Sequence, residues 1–143
     1  MPSLGSIAAT LLVAGLCGPA LAPAAMAAEL PTFRPGLWEF KRTVEGGRGP
    51  QTLANQKCTN PTEDMKKGRQ SLAGVGCTFT PLTQSGSSYT FTADCLIQGV
   101  KRQSKSVITV ASDSAYTVDV EAHQGGASTK EHLVARRIGD CPK

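Results

Sequence analysis

The residues best suited to chemistry in this sequence are its cysteines and histidines, and their spacing decides which chemistry is open to them. Cys58, Cys77, Cys95 and Cys141 lie downstream of an apolar leader that holds a fifth, Cys17. An even number of cysteines in a small exported domain reads as two disulfides. Zinc would call for closely paired ligands, typically about two to four residues apart, and no two of these cysteines are that close. None stands beside a histidine or in a Cys-x-x-Cys, so a reactive thiol is not indicated. Three pairings are open. Neighbour pairing, Cys58–Cys77 with Cys95–Cys141, is favoured, because residues 59–76 read as one short helix and a returning strand whose ends can meet. Loop closure would then contribute about 3 kcal/mol for the shorter bridge and about 4 kcal/mol for the longer. The second arrangement, Cys77–Cys95 with Cys58–Cys141, follows if a hairpin centred on Gly86 sets Cys77 opposite Cys95.

His123 and His132 flank the turn QGGAS. Across a hairpin they could approach each other and hold a metal, but they read better as two exposed polar strand residues. No serine, cysteine or acid accompanies either in the manner of a triad. Asp119 and Glu121 share a solvated strand face and do not form a general acid–base pair. GGRGP (46–50) lacks the strand–loop–helix setting of a phosphate loop. No catalytic residue, metal or cofactor is therefore expected, and the chain reads as non-enzymatic. The most site-like polar feature is Lys101, Arg102 and Lys105. These could contact an anionic component of the cell envelope, or they could protect an edge strand from aggregation.

The leader sets the compartment. Its apolar run IAATLLVAGL (7–16) is too short to span a bilayer, and it ends at Ala25-Met26-Ala27, a small-x-small cleavage signature. Residues 1–27 read as a removed signal peptide and 28–143 as one domain destined for the periplasm. Leu16 precedes Cys17 where a lipoprotein signal needs a small residue, which argues against lipidation. A net charge of +4 is a mild bias toward anionic surfaces, and together with export it excludes nucleic acid as a partner. A domain this small buries roughly two-thirds of its unfolded surface. With an aromatic content of only 5%, covalent support is expected.

The elements that must position these residues are mostly strands. In GLWEFKRTV, Trp38, Phe40 and Val44 share one face. In SSYTFTADC, Tyr89, Phe91, Ala93 and Cys95 do so, and in AYTVDVEAH, Tyr116, Val118 and Val120. Asn60 as cap, Pro61 at the first helical position and Glu63 behind them mark a helix start. Gly68 is expected to limit that helix to about two turns. The pattern predicts a mainly β fold: an antiparallel meander of about seven strands with one short helix, forming a curved sheet or a partly closed barrel. Trp38, Phe40, Phe91, Tyr116 and Val118 would face inward, either as core or as the wall of a ligand cavity. Trp38 reads as core.

The order of PGLWEF, a Lys57-Cys58 pair before a short polar helix, GCTFT, YTFTADC and the closing RRIGDC resembles the domain of unknown function 3617 family of small exported bacterial proteins. The resemblance covers essentially all of residues 28–143 and implies a periplasmic, β-rich protein; it carries no activity to transfer. Gly36-Leu37-Trp38 also resembles the Gly-x-Trp opening of lipocalin-like barrels, in which a late arginine stacks on the tryptophan. Arg136 or Arg137 would fill that part if the first and last strands pair. The expected function is binding of a small apolar ligand or an envelope partner. The alternative is a structural or interaction module with a filled core.

Overall fold

The computed structural model describes Gly18 and residues 27–143. The signal-peptide reading of residues 1–27 and the argument over Cys17 fall almost wholly outside the described residues. Eight strands and one helix follow in order: β1 (Gly36–Glu45), β2 (Gln51–Thr59), α1 (Pro61–Gly74), β3 (Cys77–Phe79), β4 (Thr83–Ser85), β5 (Ser88–Ile97), β6 (Val100–Ser112), β7 (Ala115–Gln124) and β8 (Ala127–Gly139).

All strands belong to one antiparallel sheet in the order β2-β1-β8-β7-β6-β5-β3, with β4 also pairing β5. First and last strands do pair, with Trp38 opposite Arg137, yet the sheet stays open. Its edges are β2 on one side and the short β3 and β4 on the other. The expected strand from Cys77 to the turn is broken in two, which accounts for the eighth strand. Pro81 has no N–H for a ladder bond, and an extra residue is accommodated between Phe79 and Thr83. That extra residue has a consequence. The Ser85↔Ser88 register of the turn would alone set Cys77 opposite Leu96, and the bulge moves it opposite Cys95.

The disulfides follow from this register and correct the favoured pairing. Cys77 bonds Cys95, with Cα atoms 4.0 Å apart, and Cys58 bonds Cys141, with Cα atoms 5.6 Å apart. The neighbour pairing Cys58–Cys77 with Cys95–Cys141 is not formed. It assumed that the helix brings the ends of residues 59–76 together, whereas α1 carries the chain from one edge of the sheet to the other. Between these edges, Gly76 adopts a φ of 115°. A side chain there would run into the carbonyl of Leu96, whose N–H donates to the Gly76 carbonyl at 2.9 Å.

Helix α1 begins as the sequence predicts. The Asn60 side chain accepts from the N–H groups of Thr62 and Glu63 at 3.1 and 3.4 Å, and Pro61 sits in the first turn. It does not stop at Gly68 but continues to Gly74, 14 residues in all. A helix-interior glycine costs only about 1 kcal/mol relative to alanine, and the stripe Pro61, Met65, Arg69 faces the sheet to offset it.

The core sits at one end of the inner sheet face. Trp38 is fully buried, with Phe33, Ile108, Tyr116 and Ala135 around it. The Phe33 ring stacks on Tyr116 at 4.3 Å and meets Trp38 edge-on at 6.0 Å. The Trp38 indole N–H donates to the Arg34 carbonyl at 2.9 Å. Thr62, also buried, ties the segment before β1 to the helix. Its hydroxyl donates to the Pro31 carbonyl and accepts from the Phe33 N–H, both at 2.9 Å.

Candidate functional site: a cavity between helix and sheet

Strand register sorts the sheet into two faces. The inner face carries Phe40 and Arg42 of β1, Leu133 of β8, Val118 and Val120 of β7, Ile108, Ser106, Ser104 and Arg102 of β6, and Phe91 and Ala93 of β5. Helix α1 crosses this face without covering it. Between them lies a cavity of about 600 Å³, lined on the helix side by Pro61, Asp64, Met65, Gly68, Arg69 and Leu72, with Leu30 and Phe79 completing the wall. This volume lies within the range of small-molecule pockets, roughly 300–1,000 Å³.

Of the inward residues read from the sequence, Phe40, Phe91, Tyr116 and Val118 all line this cavity. Trp38 does not. It lies behind Tyr116 at 0% exposure, a core residue that supports the wall.

The basic cluster is split by the pleat. Lys101 and Lys105 project from the outer face, while Arg102, opposite Cys95, lines the cavity. Strand β7 pairs β6 only from Gln103 onward, so Lys105 is interior to the sheet, while Lys101 and Arg102 have β5 alone as a strand neighbour and the edge-protection reading applies to them only. The histidines share the outer face but do not meet. His132 lies opposite Asp119 and His123 opposite Ser128, with the Glu121–Lys130 pair between them. Each takes a local partner: His132 Nδ1 is 2.6 Å from Asp119 Oδ1 and His123 Nδ1 is 2.7 Å from Ser128 Oγ. Arg137, across from Trp38, does not stack on it. Its Nε donates to the Pro35 carbonyl at 2.9 Å, and its other arm meets Asp140.

The residue the sequence reading missed is Arg69. Taken as part of a solvated helix, it instead turns inward, its guanidinium carbon 4.6 Å from the ring centres of both Phe79 and Phe91. Cation–π contacts contribute about 0.5–2 kcal/mol. Its Nη1 is buried and has no hydrogen-bond partner, an omission that costs roughly 1–3 kcal/mol. Burial pulls this guanidinium below its usual pKa. A signal existed in the sequence, since Arg69 follows Pro61 and Met65 at four-residue steps on one helix face.

Two further charges of the cavity are paired. Arg42 Nε pairs with Glu131 at 3.0 Å. Asp64 accepts from Lys57 at 2.8 Å and Thr59 at 2.6 Å. Burial alone would raise the Asp64 pKa, but these hydrogen bonds and the charges of Lys57 and Lys67 outweigh it and hold the carboxyl below the usual range. Tyr116 is pushed up to about 12, first by burial and then by the Asp64 charge.

A family model described as a protein of unknown function (DUF3617) matches residues 33–141. The chain belongs to this DUF3617 family. The match begins at Phe33, which anchors the core, and ends at Cys141, which closes the bridge from the carboxy terminus to β2, so it spans the folded unit. No curated protein and no solved structure matches the chain.

Proposed function

We propose that this DUF3617 protein is a non-enzymatic binding protein of the periplasm that holds a small apolar ligand between helix α1 and the inner face of its sheet. The observation that carries this reading is the cavity of about 600 Å³, walled by Phe40, Phe91, Ile108, Val118, Leu133 and Met65. Phe40, Phe91 and Tyr116 each pack against another ring on one side and line the cavity on the other, and burying a ligand there would remove that apolar surface from water. The alternative, a structural module with a filled core, fits only the end of the sheet occupied by Trp38.

The remaining chemistry supports binding over turnover. The four cysteines of the folded unit are paired, and both histidines lie on the outer face, away from the cavity. The two disulfides favour an oxidising, exported environment. Among the described residues no helix is long and apolar enough to cross a membrane.

The test is titration with Nile red, a neutral apolar dye, followed by its displacement with dodecanol. Enhanced dye emission in the native protein, lost in Val118→Trp at unchanged circular dichroism, is expected. Dye emission equal in the two proteins would refute the cavity as the binding site.

A further inference from the structure

We propose that the ligand is an anionic amphiphile, an acyl chain ending in a carboxylate, and that Arg69 receives its acid group with Arg102 as the second cation. This rests on the cavity being the binding site. It specifies which class of molecule that site selects.

The argument begins with what Arg69 lacks. Its guanidinium offers five N–H donors and accepts nothing, yet among the described residues no hydrogen bond or ion pair engages it, and Nη1 is buried without a partner. What surrounds it instead is the two rings of Phe79 and Phe91, each 4.6 Å away. Those rings hold the side chain in place without satisfying its donors. The nearest acid along the helix wall, Asp64, is already occupied by Lys57 and Thr59.

Charge balance in the cavity points the same way. Arg42 is neutralised by Glu131, whereas Arg102 forms no ion pair among the described residues and lines the same cavity, opposite Cys95 in the register. Two uncompensated cations therefore face a space whose other walls are mostly apolar. A neutral oil would leave the Arg69 donors unpaired, and a free small anion would leave the apolar walls wet. A molecule with an apolar chain and one acid group satisfies both requirements. The guanidinium presents its donors as a planar fork that matches a carboxylate.

Calorimetric titration at neutral pH with laurate, dodecanol and acetate separates the contributions. Laurate is expected to bind about tenfold more tightly than dodecanol, which has the same chain without the charge, because hydrogen bonds to charged groups carry that order of discrimination. Acetate alone is expected not to bind measurably. In Arg69→Met, which keeps an apolar stem over the two rings, laurate should lose most of its preference over dodecanol, with Arg102 retaining the remainder, while dodecanol itself is unchanged. Arg69→Lys should retain part of the preference. Equal binding of laurate and dodecanol by the native protein would overturn the assignment and leave the apolar cavity intact as a binding site. So would a laurate preference undiminished in Arg69→Met. Binding of neither amphiphile would remove both proposals together.

Discussion

The backbone N–H of Phe33 donates to the hydroxyl of Thr62, 29 residues away in the chain, at 2.9 Å. The same hydroxyl donates to the Pro31 carbonyl, so one buried threonine fastens the segment before β1 to the first turn of α1. Replacing it with the isosteric valine leaves a donor and an acceptor unpaired at a buried site. Thr62→Val should cost about 2–4 kcal/mol, read from the urea midpoint, and Thr62→Ser should recover most of the loss.

The two disulfides should differ in their contribution. Cys77–Cys95 spans 18 residues and Cys58–Cys141 spans 83. Loop closure then gives about 3 kcal/mol for the first and roughly 4–5 kcal/mol for the second. The double serine variant of Cys58 and Cys141 is expected to unfold at lower urea than that of Cys77 and Cys95. Peptide mapping without reductant should recover Cys77 linked to Cys95, and a Cys58–Cys77 peptide would contradict the fold.

Trp38 is fully buried at the centre of the aromatic cluster. Trp38→Ala should cost about 3–5 kcal/mol, measured by circular dichroism in urea because the variant has no tryptophan emission to follow. In the native protein that emission should be blue-shifted and inaccessible to iodide. Ready quenching would show that the indole belongs to the open cavity instead of the core.

The alkaline limb of stability should report Tyr116. Its folded pKa, about 12, lies above the ordinary tyrosine value of about 10. The native state therefore holds the phenolic proton more tightly than the unfolded chain does. Stability from this group is complete below pH of about 10 and is lost as pH rises toward about 12. Tyr116→Phe should flatten that part of the profile, and phenolate absorbance should show one tyrosine titrating late. If Tyr116 ionises near pH of about 10, its burial is wrong.

Much of the fold was legible because it depends on alternation and local capping. Trp38 and Phe40, or Tyr116 and Val118, face inward by a two-residue period that no distant contact can reverse without reversing a whole strand. Asn60 and Pro61 start a helix through bonds made within its first turn. The length of that helix was not legible, since Gly68 is a weak breaker and the inward placement of Arg69 beyond it shows only in the fold. The role of Arg69 was hidden for the same reason. A basic residue late in a helix fits the solvent as well as it fits the helix dipole, until Phe79 and Phe91 are seen beside it.

A β-rich, disulfide-bonded domain, its inward residues, its helix start and its resemblance to the DUF3617 family could all be read from the order of amino acids, because these are properties of single segments and their succession. Which cysteines pair, that β1 meets β8 without closing a barrel, and that a cavity remains under α1 emerged from long-range packing. Each of these depends on register between strands far apart in sequence. At Thr80–Leu82 one extra residue was enough to set Cys77 opposite Cys95.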